Sequence, residues 1–211
     1  MRPIRIALTK GRLEKDTVAL FDKLGLDTEA VKNKGRRLIL PVTGGASGTF
    51  EVVLAKAADV ITYVEHGVCD LGVVGKDTIA ESGGSFYEVL DLGFGKCRFA
   101  LAAPKGCDFF SGYHAKTIAS KYPVVARTYF ERKGMDVKII KIEGSVELAP
   151  LLGLSDGIVD IVETGSTLKE NGLEVVEDIF PISARLIANT ASMKLRKTEI
   201  EQLIRDIESL L

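Results

Sequence analysis

The sequence predicts an α/β fold on two observations. Short runs rich in Val and Ile alternate with segments of helical spacing along the whole chain. The alternation falls into two clusters, separated by residues 90–96, where Gly93 and Gly95 suit a crossing segment. Strands that alternate with helices call for sheets that are mostly parallel. A second crossing near residues 180–185 would return the chain to the first cluster. The expected division is residues 1–92 plus 184–211 as one lobe and 93–183 as the other. The pattern alone also fits a single doubly wound sheet.

The elements follow in order. Residues 4–8 read as a strand. Leu13, Val18, Leu20, Phe21 and Leu24 then recur at helical spacing, giving a helix closed near Gly25. Residues 38–42 and 50–55 form two strands around Gly44-Gly45-Ala46-Ser47-Gly48, a hairpin pattern. Residues 57–65 are helical and 71–74 a buried strand, after which Gly75-Lys76-Asp77 makes a turn. In the second half, 99–103 is a strand ending at Pro104, 117–121 a short helix, 124–126 a strand and 128–133 a helix stopped by Gly134. Residues 137–142 are a strand, 146–152 a helix and 158–162 a strand. Thr198-Glu199-Ile200-Glu201 fits a capping box, and Ile200, Leu203, Ile204, Ile207 and Leu211 then line one helical face.

Composition narrows the function classes. With 211 residues, 46% hydrophobic and 27% charged, the chain can bury a core without disulfide or metal staples. A net charge of −1 carries no electrostatic footprint for nucleic acid. Cys69, Cys97 and Cys107 are odd in number and lack metal-ligand spacing; with only His66 and His114 beside them, no metal site is expected. Reduced thiols, an N-terminal apolar run too short for a signal peptide, and no stretch of about 20 apolar residues point to a cytoplasmic protein with no membrane partner. Cys97 and His66 read as packing residues.

The most informative segment runs from Gly157 to Leu168. An apolar strand carries Asp160 near its carboxyl end, and Thr164-Gly165-Ser166-Thr167 turns into a helix start at Leu168. Ligands of open α/β sheets sit at the carboxyl ends of strands. A helix start offers unpaired N–H groups and the positive end of a dipole, both suited to phosphate. Gly165 permits close backbone approach, and the hydroxyls of Thr164, Ser166 and Thr167 add donors. A partly solvated Asp160 can accept from a ribose diol. Phosphate plus diol is what a ribose 5-phosphate requires. Thr164 or Ser166 as a plain helix N-cap is the alternative for this motif taken alone.

The same stretch resembles the signature of the ATP phosphoribosyltransferase family through Glu147, Gly153, Ser155, Ile158, Asp160-Ile161, Thr164-Gly165, Thr167 and Leu168. The resemblance extends to Ala7-Leu8-Thr9-Lys10-Gly11-Arg12-Leu13, to Asp59-Val60 with Glu65-His66-Gly67, and to Asp70-Leu71-Gly72-Val73-Val74-Gly75-Lys76-Asp77. It implies two lobes like those of class II periplasmic binding proteins with a cleft between them. It implies attack by N1 of the adenine of ATP on the anomeric carbon of phosphoribosyl pyrophosphate (PRPP), with pyrophosphate leaving assisted by Mg²⁺ carried with the substrates. It also implies the short catalytic form, a homodimer within a hetero-oligomer that holds a regulatory subunit related to histidyl-tRNA synthetase.

Roles follow from the resemblance and from position. Thr164, Gly165, Ser166, Thr167 and Leu168 take the 5-phosphate, Asp160 the ribose hydroxyls, and Glu163 and Glu147 stand beside them. Glu163 could instead be solvated, and Glu147 could answer a helix dipole. Lys10, Gly11 and Arg12 at the end of the first strand, with Gly75 and Asp77, are expected at ATP; Lys10 and Arg12 could form a solvated basic turn, and Asp77 could cap a helix. Arg36, Lys56 and Lys10 are expected on the departing pyrophosphate. The family usually has Arg where Lys56 stands, and Lys lacks the planar two-pronged contact. Two rivals remain at this level: a phosphoribosyltransferase of the other fold, disfavoured because Asp160 and Glu163 are not adjacent, and a non-enzymatic two-lobe solute-binding protein.

Overall fold

The computed structural model describes residues 2–44, 49–112 and 114–211. In chain order the elements are β1 (Ile4–Thr9), α1 (Arg12–Lys23), β2 (Leu26–Asp27), α2 (Glu29–Lys32), β3 (Ile39–Gly44), β4 (Phe50–Ala55), α3 (Ala57–Glu65), β5 (Leu71–Gly75), α4 (Lys76–Ser82) and β6 (Tyr87–Asp91). Then follow β7 (Cys97–Pro104), β8 (Lys116–Ser120), α5 (Pro123–Arg132), β9 (Val137–Lys141), α6 (Leu148–Leu151), β10 (Gly157–Val162), α7 (Ser166–Glu170) and β11 (Leu173–Ile182). The chain closes with β12 (Ala184–Ala188), α8 (Thr190–Leu195) and α9 (Lys197–Glu208). Of the loop expected at Gly44-Gly45-Ala46-Ser47-Gly48, all but Gly44 lies outside the described residues.

The chain divides into two compact units, 1–95 with 183–211 and 96–182. The crossings thus fall at Gly95/Lys96 and Ile182/Ser183, where the sequence pattern set them at 92/93 and 183/184.

The first unit holds a sheet of order β2-β3-β4-β1-β5-β12-β6. Parallel pairing is confined to β4, β1 and β5; β3 pairs antiparallel with β2 and β4, and β12 runs antiparallel between β5 and β6. The expectation of mostly parallel sheets therefore fails. β3, which precedes β4 in the chain, and β12, a strand returning from the far end of the chain, both enter against the parallel direction. β1 is buried on both faces. Ile4, Ile6 and Leu8 join a cluster with Phe21 of α1 and Phe50 of β4, whose rings meet edge-on at 5.3 Å. Ala7 points the other way, into Val60, Ile61 and Val64 of α3. Period-2 alternation with both faces apolar is what a covered strand requires.

The second unit holds a sheet of order β11-β7-β10-β8-β9. β8 runs parallel to β10 and β9, and β7 antiparallel to β10 and β11. Two expected elements exchange identity here. Residues 116–120 form a strand, not a helix. The segment pairs in parallel with both β9 and β10, and it is fixed further by the Asp156 carboxylate, which accepts from Thr117 N–H at 2.7 Å, and by the Ser120 hydroxyl, which donates to the Val159 carbonyl at 2.6 Å. Residues 124–126 are helical because Pro123 stands in the first turn, where its missing N–H costs nothing. Val125, Ala126, Tyr129 and Phe130 then fall on one buried face. The helix expected over 146–152 is confined to α6.

At the C-terminus the apolar face of α9 is formed by Ile200, Leu203 and Ile207, with Ile204 partly buried; Leu211 is exposed. The capping box is not formed: Thr198 is already inside the helix, and Arg196 precedes it without a side-chain cap. What ties this returning segment down is Asp70, 1% exposed. Its carboxylate accepts from Arg2 Nη1 at 2.6 Å, Arg5 N–H at 2.9 Å and Ser192 Oγ at 2.8 Å, with Arg196 Nη1 at 3.5 Å. Asn189 adds a second tie, donating to the Val64 carbonyl and capping α8 through Ser192 N–H, both at 2.8 Å.

Burial pushes the Asp70 carboxyl up, but the bonds from Arg2, Arg5 and Ser192 outweigh it and hold it below the usual carboxylate range. A depressed folded-state value gives stability that is present at neutral pH and lost as pH falls through the carboxylate range. Asp70→Asn should cost about 3 kcal/mol at pH 7, the low end for breaking a buried pair, because Arg2 is partly solvated. Thermal melts should show that deficit shrinking below about pH 4; a pH-independent deficit would contradict this role.

Candidate active site

The expected site residues gather in two groups, one on each unit. On the first unit the parallel register does the gathering. Thr9 lies opposite Ala55, and Lys10 N–H donates to the Ala55 carbonyl at 2.9 Å, so Lys10 and Lys56 are neighbours at the carboxyl ends of β1 and β4. β5 ends beside them at Gly75, and the Thr9 hydroxyl donates to the Val73 carbonyl at 2.9 Å. Lys10-Gly11-Arg12, Lys56 and Gly75-Lys76-Asp77 therefore follow three adjacent parallel strands, the place where open sheets bind ligands. Gly75 is itself the N-cap of α4, so the expected turn is a direct strand-to-helix step and Asp77 sits in the first helical turn. A Cβ on Gly75 would collide with the Asp77 carboxylate, which folds back over it.

Beside this edge is a cavity of about 360 Å³, lined by Lys10, Gly11, Glu14, Lys15, Lys34, Arg36 and Arg37 among others. Five cations face one carboxylate. Glu14 is buried; it accepts from Gly11 N–H at 3.4 Å and pairs with Lys34. Lys15, Lys34, Arg37 and Glu14 were not singled out from the sequence. A signal was present: Lys34-Gly35-Arg36 repeats Lys10-Gly11-Arg12, and Lys10 and Gly11 line the same cavity as the whole of the second tripeptide. Arg37 donates to the Asn33 and Lys34 carbonyls, which closes the second tripeptide into a turn. His66, expected to pack, is exposed at the end of α3.

On the second unit, β10 carries Asp160 and releases the chain at Val162 into Glu163-Thr164-Gly165. Gly165, at φ +80°, is the N-cap of α7, a conformation that favours glycine. Thr164 and Ser166 are thus not caps. Their hydroxyls lie 3.0 Å apart beside the exposed turn, and Ser166 N–H approaches Thr164 Oγ1 at 3.4 Å. Leu168 turns inward and anchors the helix in the core with Ile158, Val162 and Leu173. Glu163, Thr164, Ser166 and Thr167 line the outer side of the turn, and all four are exposed.

Asp160 is half-buried and accepts from Ile161 N–H at 2.8 Å. Burial pushes its carboxyl up to about 6; the Ile161 bond and the Lys121 charge oppose this, and the Glu147 charge adds to it. Glu147 and Lys121 are therefore electrostatic neighbours of Asp160. A carboxyl perturbed by desolvation beside an anion-suited turn is the mark of a ligand site. Among the described residues no cluster of three or more His, Cys, Asp or Glu could hold a metal ion, and no helix is long and apolar enough to cross a membrane.

Comparison with known proteins gives the family of the chain. The family model HisG: ATP phosphoribosyltransferase matches residues 56–209. An ATP phosphoribosyltransferase of Clostridium kluyveri is 60% identical over 207 residues, 98% of this chain and 93% of that protein. One of Clostridium botulinum is 54% identical over 211 residues, 100% of this chain and 99% of that protein. Among solved structures, the ATP phosphoribosyl transferase (HisG:HisZ) complex from Thermotoga maritima matches with a TM-score of 0.81 and 34% identity, covering 98% of this chain and 97% of that one. The periplasmic aliphatic sulphonate binding protein SsuA from Escherichia coli matches with a TM-score of 0.58 at 12% identity, over 98% of this chain and 67% of that one, a likeness of fold alone. On the matched model and on relatives that cover nearly its whole length, this chain belongs to the ATP phosphoribosyltransferase family.

Proposed function

We propose that the chain joins ATP to PRPP in the first step of histidine biosynthesis. Adenine N1 forms a bond to the anomeric carbon, the bond from that carbon to pyrophosphate breaks, and the products are N1-(5-phosphoribosyl)-ATP and pyrophosphate. The observation that carries this reading is the strand-to-turn unit of β10 and α7, where a half-buried carboxylate precedes a solvent-facing, hydroxyl-rich turn opened by a left-handed glycine.

Thr164, Gly165, Ser166, Thr167 and Leu168 form the turn for the PRPP 5-phosphate, and Asp160 accepts from the ribose hydroxyls with Glu147 and Glu163 beside it. Lys10, Gly11, Arg12, Gly75 and Asp77 contact ATP. Lys10, Arg36 and Lys56 neutralise charge as pyrophosphate departs; the five-cation cavity supports the assignment of Lys10 and Arg36, and the pairing of β1 with β4 supports that of Lys56 beside Lys10. The work is positioning and electrostatic stabilisation, with no covalent nucleophile required. Mg²⁺ enters with the phosphates of the substrates. The HisG:HisZ pairing in the Thermotoga maritima complex supports a second, regulatory subunit, which we take to be related to histidyl-tRNA synthetase. A homodimer of this chain within a cytoplasmic hetero-oligomer completes the proposal.

Three outcomes test it. Pyrophosphate release should require ATP and PRPP together, in one-to-one ratio with phosphoribosyl-ATP, and histidine should inhibit only when the regulatory subunit is present; release without ATP, or full inhibition of the chain alone, would count against the reading. Asp160→Asn should weaken PRPP binding at least about tenfold at pH 8 by calorimetry. The folded chain holds the Asp160 proton more tightly than the unfolded chain does, so its ionised form costs stability above about pH 6 and that cost vanishes below about pH 4. The Asn variant should therefore melt higher than the parent at pH 8 and equally at pH 4, and an unchanged PRPP affinity would refute the assignment. Lys56→Ala should lower kcat by about 10²-fold, and Lys56→Arg should stay within about threefold of the parent; equal kcat in all three proteins would remove Lys56 from the reaction.

A further inference from the structure

A residue outside the assigned sites, Arg98, contacts the chain where it enters the turn after β10. The antiparallel ladder of β10 and β7 ends at the pair Val162 and Arg98. Glu163 is the first residue beyond it, and the turn follows at once. Arg98 Nη1 donates to the Glu163 carbonyl at 3.3 Å, extending the grip of β7 one residue past the last paired position. Arg98 Nε donates to the Asp178 carboxylate on the other neighbouring strand, β11, at 2.6 Å. One guanidinium thus links both strands that flank β7.

Two features make the contact directed. β11 shifts register between Asp178 and Phe180, and such irregularities re-aim side chains. Phe99, the next residue of β7, faces the core, with its ring 4.9 Å from that of Tyr122 and 5.0 Å from that of Phe180. Strand alternation then sends Arg98 to the opposite face. The planar fork of Arg serves two acceptors in fixed directions at once, which a Lys ammonium on a flexible stem cannot do.

We propose that Arg98 is a positioning residue for PRPP: by holding the Glu163 carbonyl, it sets the direction in which the N–H groups of Gly165, Ser166 and Thr167 point. Asp178 orients Arg98. This rests on the assignment of that turn to the PRPP phosphate. A plain cross-strand clamp would stabilise the unit without altering ligand affinity, and this difference is measurable.

The full chain is compared as Arg98→Ala, Arg98→Lys, Asp178→Asn and Gly165→Val, with PRPP binding read by calorimetry, KM for both substrates by steady-state kinetics, and melting temperature alongside. Arg98→Ala should raise Kd and KM for PRPP about tenfold, the scale of a lost hydrogen bond to a charged group, and leave KM for ATP within about twofold. Arg98→Lys should recover part of the loss, and Asp178→Asn should fall between Arg98→Ala and the parent. Unchanged PRPP affinity in folded Arg98→Ala overturns the proposal. Should that variant not fold, unchanged affinity in both Arg98→Lys and Asp178→Asn overturns it. Gly165→Val separates the two levels. If it binds PRPP normally, the turn itself is misassigned and the role of Arg98 falls with it. If it loses PRPP while the Arg98 variants keep it, only the role of Arg98 is wrong.

Discussion

A single strand, β10, places a costly carboxylate and an anion-suited turn a few residues apart, and the proposed chemistry depends on that spacing. Asp160 is held half-buried, where ionisation is disfavoured, with one backbone bond and the opposed charges of Glu147 and Lys121 around it. Nothing in the packing of the second unit requires a carboxylate there; an apolar residue would satisfy a strand at lower cost. The turn shows the same logic. Leu168 and Val162 supply the stability, so Thr164, Ser166 and Thr167 are left at the surface with none of them buried. Stability is carried by one set of side chains and ligand contact by another, as expected of a site built on a rigid element.

The first unit gathers positive charge by a different route. The parallel register of β4, β1 and β5 brings three strand ends to one edge, and Lys10 and Gly11 line one cavity with Lys34, Gly35 and Arg36. Glu14 lies among the cations as an internal counter-charge, buried beneath Lys34 and bonded to the start of α1. Without it, the like charges of Lys10, Lys15, Lys34, Arg36 and Arg37 would repel one another in the folded chain.

The α/β class was legible in the sequence because strands such as β1 and β5 are short, apolar and bounded by glycine. The turn at Gly165 was legible because hydroxyl-bearing residues flank a glycine soon after an apolar strand. The direction of the strands was not. β12 pairs with β5 across more than a hundred residues, and no local pattern reports such a partner. Residues 116–126 were misread because Thr117, Ile118, Val124 and Val125 are all β-branched, and short apolar runs do not distinguish strand from helix; Pro123 was the deciding signal. The capping box at Thr198 failed because α8 leads into α9 through Arg196, leaving no free helix start for a Thr to cap. Arg98 and Lys34 were missed because each acts through a partner distant in sequence, Asp178 and Glu14.

Whether the β10 turn receives PRPP is decided by following the backbone amides of the isotope-labelled chain while PRPP is added. The amide resonances of Gly165, Ser166 and Thr167 should shift most, those of Asp160 and its neighbour Ile161 should shift with them, and inorganic phosphate should reproduce part of the change at the turn but not at Asp160. Resonances of the turn that stay still while PRPP saturates a site elsewhere would contradict the assignment.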